Sequence, residues 1–186
     1  MDQKNGDPGT MINEFAVIVR RLRAPGGCPW DAQQTPETLK TYLLEEAYEL
    51  IEALDSGDPE KIKEESGDLL LHLVFLSDLY QERGEFSLVE VVAGITAKMI
   101  HRHPHVFKNE EAKTQEDLRR LWQQAKAQEG KPPSGALGKV SPALPALVQA
   151  QRLGEAAARL GFDWPHVQGA LDKVEEEWQE FRQTLA

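Results

Sequence analysis

The sequence predicts an all-α protein, and three observations carry that prediction. Apolar residues recur at three- and four-residue spacing through most of the chain. No segment alternates polar and apolar residues as a half-buried strand does. Clusters of Pro, Gly, Asp, Ser and Thr divide the chain into lengths suited to helices. The 186 residues are 40% hydrophobic and 28% charged, an ordinary balance for a packed domain.

Taken in order, residues 1–10 are polar, contain Gly and Pro, and are expected to be disordered. Ile12, Phe15, Ile18, Val19 and Leu22 fall on one face of a first helix over residues 11–23, which Ala24-Pro25-Gly26-Gly27 ends. Residues 28–35 read as a loop. Thr35 is an N-cap with Pro36 at the first helical position of a long helix reaching about Leu54. Asp55-Ser56-Gly57-Asp58-Pro59 is a turn, and a further helix spans about residues 60–82. Helices follow over about 87–102, broken by Pro104, and over 114–128. Residues 130–145, rich in Lys, Pro, Ser and Gly, read as a linker. Two last helices lie near 146–160 and 167–184. The expected organisation is therefore a disordered stretch (1–10), a first domain (11–129), a linker (130–145) and a second segment (146–186).

The formal net charge of −10 argues against a nucleic-acid surface, which needs a basic stripe. It leaves a nucleotide substrate open, because bound metal reverses the local sign. The single cysteine, Cys28, excludes an intrachain disulfide and suits a cytoplasmic protein. The first ten residues hold no apolar leader, and no apolar run is long enough for a membrane span.

The chemistry is concentrated in Glu45-Glu46-Ala47-Tyr48-Glu49 and, on the next helix, Glu65-Ser66-Gly67-Asp68. Acids three positions apart on a helix share a face. On the first helix, Leu43, Leu44, Ala47, Leu50, Ile51 and Leu54 form an apolar arc, with Glu46 and Glu49 along its edge and Glu45 and Glu52 further round. On the second, Glu65 and Asp68 edge the stripe of Ile62, Leu69, Leu73 and Leu76. Packing the two helices gathers four carboxylates, which repel unless cations lie between them. Oxygen ligands of this kind select Mg²⁺ or Mn²⁺, ions that usually accompany a phosphate substrate. A ferritin-like di-iron centre is disfavoured, because it needs Glu-x-x-His pairs and none is present. The weaker reading, two solvated helix faces, is reduced by both pairs lying at the edge of an apolar arc on consecutive helices.

Other residues are less specific. Leu70, Leu71, Val74, Phe75 and Leu79 make the second helix apolar nearly all round, which points to a subunit contact as well as a bundle core. Gly67 inside it calls for a close helix approach or room for a ligand, and the sequence leaves both open. His72, one turn after Asp68, is either a support for the metal ligands or a packed histidine. His101, His103 and His105 surround Pro104 and read as a helix-ending turn. Trp30 is either a base-stacking ring or a loop anchor.

The pattern Glu-Glu-x-x-Glu followed by Glu-x-x-Asp resembles the MazG family of nucleoside triphosphate pyrophosphohydrolases. Gly27-Cys28-Pro29-Trp30-Asp31 with Gln34-Thr35, Arg102-His103-Pro104-His105-Val106-Phe107 and Gly161-Phe162-Asp163-Trp164 resemble the same family. The resemblance implies an all-α bundle whose four-helix core is completed by dimerisation, and Mg²⁺-dependent hydrolysis of NTPs or dNTPs to the monophosphate and pyrophosphate. It implies Glu46, Glu49, Glu65 and Asp68 as metal ligands, with Glu45 or Glu49 as general base. It implies Lys98 and Arg102 as partners of the triphosphate; the residues alone read equally well as a solvated face. Longer members carry two copies of the domain. Glu176-Glu177-Trp178-Gln179-Glu180 repeats the first half of the motif, with Glu177 and Glu180 in the places of Glu46 and Glu49, and no Glu-x-x-Asp follows before Ala186. The second hypothesis is accordingly a helical module that holds a nucleotide or protein partner without useful turnover.

Overall fold

A computed structural model describes residues 6–108, 110–130, 135 and 137–185. Among these residues every regular element is a helix. Two compact units are formed, residues 1–111 and 112–186.

In the first unit, α1 (Pro8–Arg23) starts where Asp7 caps the backbone N–H of Thr10 and Pro8 takes the first turn. Residues 8–10, expected to be disordered, are thus helical; residues 1–5 lie outside the described residues. A short helix, α2 (Pro29–Ala32), stands in the expected loop, with Gln34 Nε2 donating to the Trp30 carbonyl. The long helix α3 (Pro36–Ser56) begins at a reciprocal cap between Thr35 and Thr38. Gly57 ends it in the left-handed region, at φ 68°, where a side chain would be strained. Asp58 then caps α4 (Pro59–Glu82), so two residues separate the helices that carry the acids. α5 (Leu88–Arg102) is capped by Ser87 and Glu90, and Pro104 opens the short helix α6 (Pro104–Phe107).

α4 is the axis of this unit and packs against α1, α3 and α5. Val19 of α1, Leu39 of α3 and Val74, Phe75 and Leu79 of α4 form the core, with Phe15, Tyr42 and Leu76 packed around it. Full burial of side chains this size contributes about 1.5–3 kcal/mol each. α1 is also clamped ionically. Asp78, buried on α4, accepts from Arg20 Nε at 3.0 Å and from Arg23 Nη1, while Arg23 Nη2 reaches Glu82 at 2.6 Å. The Arg23 guanidinium lies 5.3 Å from the centroid of the Phe75 ring.

The expected apolar arc of α3 divides in the structure. Leu43, Ala47 and Leu50 are half-buried, whereas Leu44, Ile51 and Leu54 are more than half exposed; the buried Leu39 and Ala53 lie outside the arc as read. Leu70 and Leu73 of α4 and Val91, Val92 and Ile95 of α5 are exposed as well. A Cβ added at Gly67 would meet nothing within 4 Å, so no close helix approach among the described residues accounts for that glycine.

The second unit contains α7 (Gln115–Gln128), α8 (Ala146–Arg159) and α9 (Val167–Thr184). Thr114 and Asp117 cap α7, which buries Leu121 and Ala125. α7 groups with this unit and not with the first 129 residues. Sequence reading follows the Gly- and Pro-rich stretch 130–145, whereas the compact units divide at the non-helical residues before Thr114. Trp164 packs on Gly169, where a Cβ would stand 2.7 Å from the ring. None of the described residues of α9 is buried.

Candidate functional site

The turn at Gly57 folds α4 back along α3, and the acids of both helices meet. Glu46 and Glu49 from α3 and Glu65 from α4 each offer a carboxylate oxygen, and these oxygens lie within 4.8 Å of one another. Glu46 and Glu65 are half-buried and Glu49 is exposed, so the cluster opens to solvent through Glu49. Asp68, half-buried one turn beyond Glu65, stands outside that group of three but acts on it electrostatically. The Glu65 carboxyl is held above its ordinary value, first by partial desolvation and then by the charges of Glu49, Asp68, Glu64 and Glu46. Three carboxylates with an open side and an all-oxygen donor set fit a hard divalent cation, which removes the repulsion raising the Glu65 proton affinity.

Glu45, named with Glu49 as a candidate base, is exposed on α3 outside the trio. Lys98 and Arg102 lie on the last two turns of α5, and both are half-buried. α5 packs on α4, the helix that supplies Glu65. Trp30 sits on α2, half-exposed, with its ring edge-on to Tyr42 at 5.6 Å between centroids.

Tyr42 escapes sequence reading. It stacks on His72, with centroids 5.9 Å apart and planes 8° from parallel, and His72 Nε2 stands 3.5 Å from Glu46 Oε1. A row of rings thus leads from exposed Trp30 to a carboxylate of the cluster. The available signal was spacing: Tyr42 lies one helical turn before Glu46.

The three histidines around Pro104 do not gather as metal ligands among the described residues. His103 Nδ1 lies 2.7 Å from the Met99 carbonyl, closing the end of α5. In the second unit, Glu176, Glu177 and Glu180 lie on α9, and Lys173 Nζ is 2.6 Å from Glu176 and 3.3 Å from Glu177.

Comparison with known proteins gives one direction. Residues 34–107 match the MazG nucleotide pyrophosphohydrolase domain, a span that contains the cluster, Lys98 and Arg102. The chain is 42% identical over 178 residues to a Thermotoga maritima protein named nucleoside triphosphate pyrophosphohydrolase/pyrophosphatase MazG, covering 95% of this chain and 68% of that one. It is 39% identical over 172 residues to a nucleoside triphosphate pyrophosphohydrolase of Escherichia coli, covering 91% of this chain and 65% of that one. The chain therefore spans about two thirds of the length of these curated relatives. The crystal structure of a mazG-related protein from Thermotoga maritima superposes with a TM-score of 0.53 at 28% identity, over 62% of this chain and 98% of that one.

Proposed function

The chain belongs to the MazG nucleotide pyrophosphohydrolase family, and from that premise we propose that it hydrolyses nucleoside triphosphates, NTPs or dNTPs, between the α- and β-phosphates. The products are the nucleoside monophosphate and pyrophosphate. The observation that carries this reading is the convergence of Glu46, Glu49 and Glu65 within 4.8 Å, with Asp68 adjoining.

These residues are the proposed ligands of Mg²⁺, with Mn²⁺ as a substitute. The ion supplies positive charge to the triphosphate oxygens and to the departing pyrophosphate. The protein groups do the rest. Glu46 and Glu65, half-buried, are the anchored walls of the site, and exposed Glu49 stands at its open side. Glu49, or Glu45 one turn before it, takes the proton of the attacking water. Lys98 and Arg102 hold the outer phosphates, Arg102 with a planar donor set matched to phosphate oxygens. Trp30 offers an exposed ring on which a base stacks.

The working form is a homodimer. The exposed Leu44 and Ile51 of α3 and Leu70 and Leu73 of α4 support it, since apolar residues on adjoining helices are the usual material of an obligate interface. No helix among the described residues is long and apolar enough to cross a membrane. A cytoplasmic setting and a role in clearing unwanted nucleotides complete the proposal.

Hydrolysis in ¹⁸O-water tests the reaction. Label in the monophosphate is the expected result, because attack then falls on the α-phosphorus. Label in pyrophosphate, or orthophosphate as the first product, overturns the reading.

A further inference from the structure

We propose that His72 is a positioning residue for the Glu46 carboxylate, presenting its Nε2–H to Glu46 from a ring orientation that Tyr42 holds in place. The inference rests on the carboxylate cluster being a cation site.

Three observations converge on His72. Its Nε2 stands 3.5 Å from Glu46 Oε1, and the two side chains are only 10% and 20% exposed. Its ring lies 8° from parallel to Tyr42, with the centroids 5.9 Å apart. Its Nδ1 is buried and has no hydrogen-bond partner among the described residues. A buried N–H without an acceptor forfeits the full desolvation of a donor, so an unpaired lone pair is the less costly orphan. The ring proton therefore belongs on Nε2, facing the carboxylate.

That arrangement reverses the usual one around metals, in which a carboxylate steadies a ligating imidazole. Here the imidazole steadies a ligating carboxylate. At 3.5 Å the pair lies at the outer limit of hydrogen bonding, and such contacts tighten as a site fills. A donor on one oxygen of Glu46 restricts its rotation. Glu46 is half-buried, as Glu65 is, whereas Glu49 stands in solvent, and of the two half-buried acids Glu46 is the one that faces His72. Tyr42 holds the plane of the ring, and with it the plane in which Nε2 meets Glu46.

Mn²⁺ binding to the full chain, followed by electron paramagnetic resonance and by calorimetry, tests the proposal without reference to turnover. His72→Phe keeps a ring for Tyr42 and removes the donor. His72→Met removes both with an unbranched chain. His72→Gln returns an N–H donor at similar reach. The two donor-free variants are expected to bind Mn²⁺ about tenfold more weakly, and the glutamine variant within about threefold of the parent. Rescue by glutamine is the outcome that a packing role would not produce. The proposal is overturned if a donor-free variant binds as tightly as the parent, or if glutamine binds as weakly as phenylalanine. Circular dichroism of the metal-free variants checks folding; should phenylalanine unfold the chain, methionine carries the comparison. If both unfold it, His72 is a packing residue and the proposal falls. Glu49→Gln is run alongside. A parent that does not bind Mn²⁺, or a glutamine variant at 49 that binds like the parent, removes the cation site itself. Parental binding lost in Glu49→Gln but intact in His72→Phe removes only the role of His72.

Discussion

The spelling Glu-Glu-x-x-Glu occurs on α3 and again on α9, and the two settings make different chemical objects of it. On α3, Glu46 and Glu49 face Glu65 of a neighbouring helix, and desolvation together with the neighbouring acids raises the proton affinity of Glu65. On α9, Glu176 and Glu177 face Lys173 of their own helix, whose pKa is raised by those same acids. The residue three places before the acids decides much of this. It is Tyr42 on α3, stacked on His72, and Lys173 on α9, paired to the acids. One cluster calls for a cation from solution, while the other carries its own. On the proposed reading, the like charge that a second helix adds makes the run on α3 a cation site, whereas a lysine one turn away pairs the run on α9 within its own helix.

Activity separates the two clusters most widely. Glu49→Gln or Asp68→Asn is expected to reduce pyrophosphate release from NTPs by more than about 100-fold, beyond what loss of an outer partner usually costs a metal site. Glu177→Gln on α9 is expected to leave the rate within about twofold. Equal losses on α3 and α9 would show that the two copies work together. The second test concerns covering. α3 and α9 both expose apolar residues, Leu44 and Ile51 on one and Val174 and Trp178 on the other. Light scattering is expected to give twice the chain mass of 20.9 kDa, and substituting Leu70 and Leu73 on α4 by Ser is expected to shift it to the monomer. A stable monomer at micromolar concentration would break the proposed dimer.

A third test uses pH. The carboxyl of Glu65 is raised above its ordinary value of 4.5, so the folded chain holds that proton more tightly than the unfolded chain. Its contribution to stability is therefore present below 4.5 and lost as pH rises through the higher folded value. Melting of the metal-free chain is expected to show this loss as pH rises above 4.5, and Glu65→Gln to flatten it. The raised pKa of Lys173 has the same sign but acts only above 10.5, where its pairing is lost. The smallest effect is the last. Lys173→Ala removes an exposed pair, and thermal melting is expected to move by no more than about 1 °C.

What sequence reading reaches is local, and what it misses is distant or short. The caps at Thr35 and Ser87, the helical period and the acid spacing all operate within one or two turns. That is why α3, α4 and the meeting of Glu46, Glu49 and Glu65 are legible in the sequence. α2 and α6, at four residues each, have no period to read. The clamp of Arg20 and Arg23 on Asp78 joins residues 58 and 55 positions apart, and nothing local marks Asp78 as the buried acid of an apolar helix. The stack of Tyr42 on His72 is lost for the same reason: each residue belongs to a face whose partner helix cannot be read from its own neighbours. The apolar arc on α3 is correct as a pattern, but a pattern does not say which part faces its own chain. Leu43 and Leu50 are half-buried and Leu44 is exposed.

The turn at Gly57 and Asp58 also has a kinetic side. Because only two residues part α3 from α4, closing this hairpin costs little chain entropy, and contacts across it are short in sequence. The docking of α1 through Asp78 must wait for a far longer loop to close. The hairpin is thus placed to form early, and with it the crowding of Glu46, Glu49 and Glu65. If the hairpin forms in the folding transition state, the chain meets its own charge repulsion there, and refolding of the metal-free chain is expected to quicken as added salt screens that repulsion.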